Sequence, residues 1–481
     1  MEMYDVIVIG CGITGAAIAH QLSRYQLKVA VLEGENDVAQ GATKANSAIL
    51  HAGYDPVPGS LMAKLNVRGV AMAKELCAKL DIPREEIGSL VLGFSEEDKA
   101  TLQKLYDRGV ANGVEVELLT AQQVREMEPN LSEEVVGALY APTAAVCLPW
   151  EYCLALAETA VRNGVELFLE HKVTAISKTE AGWHVVTDHG EYDGRYVVNA
   201  AGVFADRVQA MVAPCEWKMK PTRGEYYLLD KSEGSRVSKV IFQCPSAVGK
   251  GVLVSPTVHG NLIVGPDACP VEGQDVTNTA AGLAFVRNTA TRSVPSVDFR
   301  QSIRNFAGVR AHADTGDFIL GEVDGAPHFF NAAGICSPGL SAAPAIGEYL
   351  VELMGRSGLE LTEKETYIDT RERVKFNHLS AEEKGALVAE NPAYGRVICR
   401  CETVTEGEIV AAIHSPIPPR SVDGVKRRVG AGLGRCQGGF CGPRVVEILC
   451  RELGISPRDI LQDRAGSYML VEETKGGAEH V

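Results

Sequence analysis

Apolar residues fall into two patterns within the first 33 positions. Val6, Ile7, Val8 and Ile9 run without polar alternation, the mark of a strand buried on both faces. Gly10, Gly12 and Gly15 follow at the spacing of a dinucleotide-binding turn. Residues 16–24 then predict a helix, and residues 28–32 a second buried strand that ends in Glu33. Gly10 permits the tight turn, Gly12 lets backbone amides approach a pyrophosphate, and Gly15 lets the helix pack against the strand. The helix start, which carries Thr14, favours phosphate charge through its amides and dipole. Glu33 stands where an acidic side chain meets a ribose hydroxyl.

Beyond this unit the pattern changes several times. Residues 41–60 are rich in glycine and turn formers and predict a loop, with a helix from about Ser60. Residues 75–145 read as helical and polar segments with mixed charge, including a helix over 95–113. A helix and a strand follow over 149–174, and an apparent hairpin leads into YVVNAAGVFAD at 196–206. Alternating Val, Leu and Ile between glycine turns over 218–266 predict antiparallel strands. Residues 360–395 are charged and lack sustained apolar periodicity, as a linker with short helices would.

Composition narrows the class. The 481 residues suffice for two or three domains with a large core. A net charge of -15 argues against general nucleic-acid binding, which needs a basic surface, but leaves room for a small anionic substrate. The first strand begins almost at the N-terminus, so no signal peptide is expected, and no apolar run reaches membrane-spanning length. A cytoplasmic location is expected, with any membrane contact made through a partner. Of thirteen cysteines, nine are scattered as buried small residues would be, and four crowd into one late segment. Such a cluster points to a metal site rather than disulfides in a reducing compartment.

Those four are Cys399 and Cys401, a C-x-C pair, and Cys436 and Cys441, a C-x4-C pair, separated by 34 residues. Glycines at 432, 434, 438, 439 and 442 would free amides to hydrogen-bond the sulfurs, and Pro443 suits the first position of a helix. By donor set alone, tetrahedral zinc and an iron–sulfur cluster both remain open.

Two resemblances sharpen this picture. The segment NSAILHAGYDPVPGSLMAKLNVRG, residues 46–69, resembles the second flavin-contacting segment of the D-amino-acid-oxidase-like flavoproteins. In detail it is similar to their glycerol-3-phosphate dehydrogenases and oxidases, and the L-2-hydroxyglutarate oxidoreductases share much of the same run. CRCE and GRCQGGFC resemble the [2Fe-2S] domain of bacterioferritin-associated ferredoxins, a domain also appended to several anaerobic dehydrogenase subunits. The implied fold is α/β: a Rossmann-like FAD-binding domain interleaved with an antiparallel-sheet substrate domain, plus a small C-terminal iron–sulfur domain. Residues 1–365 would form the oxidoreductase, its flavin half at about 1–75, 145–212 and 300–365 and its substrate half at 76–144 and 213–299. A linker at 366–394, the [2Fe-2S] domain at 395–465 and a tail at 466–481 would follow.

The resemblance also implies roles. Gly10, Gly12, Thr14, Gly15, Glu33, Val173, Gly202, Gly334, Gly339 and Leu340 would hold FAD. His51 would be the general base, since an imidazole with a reference pKa of about 6.5 accepts a proton near neutrality. Ser47, Lys250, Arg310 and Ser337 would meet the substrate, with Arg310 matching an anion bidentately. Lys250, in a GKG turn, favours a phosphate over a second carboxylate. Cys399, Cys401, Cys436 and Cys441 would bind the cluster. The implied activity is FAD-dependent oxidation of a small anionic 2-hydroxy substrate, foremost sn-glycerol 3-phosphate, with electrons passed through the cluster to a partner subunit. An L-2-hydroxyglutarate, amino-acid or amine dehydrogenase on the same fold is the alternative, as is an electron-transfer or scaffold subunit without a substrate of its own.

Overall fold

The computed structural model describes residues 3–245 and 251–472. The chain separates into two compact units, one of Met1–Glu33 and Val38–Arg371, the other of Gly34–Asp37 and Glu372–Val481.

The first unit opens with strand β1 (Tyr4–Ile9), helix α1 (Ile13–Leu22) and strand β2 (Val29–Leu32). The helix starts three residues before its apolar stretch, directly on the glycine turn, because Thr43 Oγ1 accepts the Ile13 amide at 2.9 Å and extends the ordered turn backwards. β1 runs parallel to β2 on one side and to Glu191–Asn199 on the other. Glu166–Phe168 joins β2 in parallel, and Ala326–Ala333 joins Glu191–Asn199. Three antiparallel strands, Val173–Lys178, Trp183–Thr187 and Ile319–Val323, complete an eight-stranded sheet. Val6, Ile7 and Val8 are wholly buried, which is why this strand lacks polar alternation.

A second, nine-stranded sheet is mostly antiparallel. Its strands alternate with period two. Leu90 and Leu92 join an apolar layer with Val286 and Ala290 of helix Ala280–Ser293, while Val91 joins Leu102 and Leu105 of helix Glu96–Ala111 on the other face. The expected helix over 95–113 is this second cover, capped by Ser95. Helical and polar segments alone do not describe 75–145, because Ser89–Gly93, Glu117–Thr120 and Gly137–Ala141 are strands of this sheet. They are short, and Glu117–Thr120 is largely exposed, so their apolar signal is slight. Ser302–Arg310 lies within the stretch expected for the flavin half. It pairs along Thr222–Leu229 in the second sheet, where Phe306 stacks on Tyr226 at 4.7 Å.

The second unit packs helices Glu406–Ile413, Val422–Val429 and Gly442–Leu453 around a small core that includes Ile409, Val425 and Leu449. Residues expected as linker carry helix Ala381–Glu390, closed by a Ser380–Glu383 capping box. Within this unit Asp37 is buried against two arginines, at 2.9 Å from Arg428 Nη1 and Nη2 and 3.1 Å from Arg427 Nη2. Arg427 also binds Asp463 at 2.7 Å. Burial alone would raise the Asp37 carboxyl, but Arg428 and Arg427 outweigh it and hold the group below its ordinary value. No helix among the described residues is long and apolar enough to cross a membrane.

Candidate functional site

Three parallel neighbours of the first sheet end at one edge, and each is followed by a glycine predicted to meet the cofactor. Gly10 follows β1, Gly202 comes soon after Glu191–Asn199, and Gly334 follows Ala326–Ala333. The carboxyl edge of such a sheet is where nucleotide cofactors bind. Backbone crowding there leaves no room for larger residues: a Cβ on Gly15 would lie 1.9 Å from the Gly10 carbonyl oxygen, and one on Gly10 2.7 Å from that of Ala200. Glu33 closes β2, where its Oε2 accepts the Cys11 amide at 2.7 Å. Its own amide bonds Phe168, which brings the start of Val173–Lys178 to the same edge. Gly12 is the N-cap of α1 and Thr14 lies in its first turn, while Gly339 and Leu340 open helix Gly339–Arg356. This arrangement fits a dinucleotide with its pyrophosphate on the glycine turn.

The predicted chemical residues meet in part. His51 Nε2 lies 3.3 Å from Ser337 Oγ, and the imidazole stacks on Phe242 with centroids 5.6 Å apart. Ser47 Oγ lies 3.1 Å from the Tyr226 hydroxyl. Arg310 reaches over Gly224, two positions along the strand from Tyr226 and so on the same face. A Cβ on Gly224 would stand 2.7 Å from Arg310 Nη2. Arg310 Nη2 also donates to the Asp267 carbonyl at 3.1 Å. Burial pushes the Asp267 carboxyl above its usual range, although Arg223 and Arg310 oppose that shift. Lys250 lies outside the described residues.

Tyr226, Phe242 and Ser341 were not legible as site residues. Each reads as an ordinary apolar or small position, and only the pairing of two sheets and a helix brings them to His51 and Ser47. Ser341 Oγ accepts the His51 amide at 2.7 Å.

In the second unit the cysteines meet in two pairs. Cys401 and Cys436 sulfurs lie 3.7 Å apart, close to the ~3.8 Å separating two thiolates on a tetrahedral metal with bonds of about 2.3 Å. Cys399 and Cys441 share a thiol hydrogen bond that pulls Cys399 down to about 6, aided by the amides of Gly432, Glu402 and Cys401. The Phe440 amide, with that of Gly438, lowers Cys436. A Cβ on Gly434 would lie 2.2 Å from Cys401 Cβ, so glycine lets the two turns close together. Among the described residues, no three His, Cys, Asp or Glu side chains converge on a single-ion site. Four thiols on facing segments, two of them lowered by backbone amides, fit a thiolate-bound metal centre. None of the thirteen cysteines is in a disulfide.

Fold and site together define a flavoprotein oxidoreductase carrying an iron–sulfur module. Residues 5–353 match the family described as FAD dependent oxidoreductase, and the chain belongs to it; residues 397–451 match the BFD-like [2Fe-2S] binding domain. FAD and a [2Fe-2S] cluster are its cofactors. The chain is 50% identical to a glycerol 3-phosphate dehydrogenase of Caloramator mitchellensis, over 98% of this chain and 99% of that protein. A glycerol 3-phosphate oxidase of Mycoplasma genitalium is 32% identical over 74% of this chain and 95% of its own. The solved L-alpha-glycerophosphate oxidase of Mycoplasma pneumoniae, with FAD bound, superposes with a TM-score of 0.73 at 30% identity, covering 78% of this chain and all of that one.

Proposed function

We propose that this enzyme oxidises sn-glycerol 3-phosphate to dihydroxyacetone phosphate. The observation that carries the reading is His51 Nε2 at 3.3 Å from Ser337 Oγ, within a chain 50% identical to a glycerol 3-phosphate dehydrogenase along nearly its whole length. Oxidising a secondary alcohol removes a hydride from carbon and a proton from oxygen. Bound FAD supplies the hydride acceptor. His51 takes the hydroxyl proton on its imidazole. Ser337 holds the same hydroxyl against Nε2, and stacking on Phe242 limits rotation of the ring. Ser47, tied to Tyr226, meets the substrate on the neighbouring face.

Arg310 holds the phosphate, presenting a fork of donors that matches its oxygens. Lys250 joins it on the strength of sequence resemblance alone. A [2Fe-2S] cluster held by the four thiolates would supply a one-electron carrier able to serve a partner subunit, and we place the enzyme in the cytoplasm. Gly10, Gly12, Thr14, Gly15, Glu33, Val173, Gly202, Gly334, Gly339 and Leu340 hold the flavin, and Cys399, Cys401, Cys436 and Cys441 the cluster.

The test is anaerobic bleaching of the bound flavin. Glycerol 3-phosphate is expected to reduce it much faster than L-2-hydroxyglutarate, glycine or proline. Faster reduction by L-2-hydroxyglutarate would overturn the substrate assignment, and no reduction by any of them would leave an electron-transfer subunit.

A further inference from the structure

His51 sits just after β3 (Ile49–Leu50), a strand of only two residues, so the sheet does little to fix it. Its main chain is instead held on both sides by side chains. Ser341 Oγ accepts its amide at 2.7 Å, and Asn66 Nδ2 donates to its carbonyl at 2.9 Å. Both holders are wholly buried. Ser341 lies in the first turn of Gly339–Arg356, and Asn66 lies within α2 (Leu61–Lys79).

The two helices touch through backbone at the level of these residues. A Cβ on Gly69, one turn beyond Asn66, would stand 2.2 Å from the Ser341 carbonyl oxygen. The spacing between the two holders is therefore set by a helix crossing that only glycine allows. Asn66 is also a poor choice for packing. Its Oδ1 is buried without a hydrogen-bond partner, and an apolar residue of similar size would fill a helix interior without that penalty. What the amide contributes is its one bond, to the carbonyl of His51.

We infer that Asn66 and Ser341 are positioning residues for the reaction, clamping the His51 main chain so that Nε2 stays at the Ser337 hydroxyl. The inference rests on the reading of His51 as base. Neither residue touches the reacting atoms. Both act through His51, by keeping Nε2 aligned with the substrate hydroxyl while hydride leaves the carbon that bears it. A misplacement of about 1 Å in such a geometry can lower a rate by roughly a hundredfold.

The experiment measures anaerobic flavin reduction by glycerol 3-phosphate in the full-length, FAD-loaded enzyme, across pH, for Asn66→Ala, Ser341→Ala, His51→Asn and the double variant Asn66→Ala/His51→Asn. The limiting reduction rate of Asn66→Ala is expected to fall roughly ten- to a hundredfold, with flavin content and substrate half-saturation little changed. The pH limb assigned to the base stays where it is in the parent, since the same imidazole titrates. In the His51→Asn background, adding Asn66→Ala should change nothing further. Ser341→Ala, a smaller change at the other clamp, should show the same pattern and serves if Asn66→Ala does not fold. An equal loss in both backgrounds would show that Asn66 acts elsewhere and would overturn the clamp. So would an unaltered rate in folded single variants. Failure of the base reading looks different: His51→Asn itself would then reduce its flavin at the parental rate.

Discussion

The two redox regions of this molecule are assembled in opposite ways. In the four-cysteine unit every ligand comes from two short segments, residues 399–401 and 436–441, and nearby amides, among them those of Cys401, Gly432 and Phe440, lower Cys399 and Cys436. In the flavin unit, the chemical side chains come from positions as far apart as Ser47, Tyr226, Arg310 and Ser337, and they meet only because two sheets and a helix converge. The first arrangement draws its ligands from two short stretches, although the unit around them also relies on Asp37 from far along the chain. The second depends on long-range pairing, so a change well away from the chemistry can reach it.

That contrast can be broken or sharpened by substitution. The largest effect is expected for Cys436→Ser, which removes one thiolate from the exposed pair. Iron analysis should show the cluster lost, while glycerol 3-phosphate still bleaches the flavin in a stopped-flow trace and reoxidation by the natural acceptor slows strongly. Undiminished transfer to that acceptor in iron-free protein would refute a relay role. Next comes His51→Asn, for which loss of a positioned base should lower the flavin reduction rate about 10²- to 10⁴-fold with FAD content retained.

Asp37→Ala probes the four-cysteine unit from its buried ion cluster. Removing one partner there leaves Arg428 uncompensated and should cost about 3–5 kcal/mol of that unit's stability, read as a lower denaturant midpoint for its transition. The pH dependence has a definite sign. Asp37 is depressed in the folded state, so its contribution is complete above the unfolded carboxylate value of about 4. Stability is then lost as pH falls below about 4 and through the depressed folded value. The Asp37→Ala protein should lack this acid limb. The smallest effect is expected for Arg310→Ala. Loss of a charged hydrogen bond worth about 1.5–3 kcal/mol should raise the half-saturation for glycerol 3-phosphate roughly ten- to a hundredfold. An uncharged glycerol analogue should be much less affected, and equal losses for both would remove Arg310 from phosphate recognition.

The legibility of each region follows the same division. The run from Val6 to Glu33 could be read because a buried parallel strand, a glycine turn and a helix start each leave a short-range signature. The cysteine pairs were visible for the same reason. The strands at Ser89–Gly93 and Gly137–Ala141 were missed because short strands carry little periodicity of their own and acquire meaning only from their neighbours in the sheet. The pairing of Ser302–Arg310 with Thr222–Leu229 was not legible, because the partner strand lies about eighty residues away.

By itself, then, the sequence determined the glycine turn after the first strand and the two cysteine pairs, since each depends on spacing within a few positions, whereas His51, Ser47, Arg310 and Ser337 were named only through a family resemblance. Tertiary structure alone decided that Phe242 faces His51, that Tyr226 holds Ser47, and that Asn66 and Ser341 grip the His51 backbone from two helices. Those contacts rest on strand register and on a helix crossing at Gly69, which depend on packing summed over the whole unit and leave no mark on any single stretch of chain.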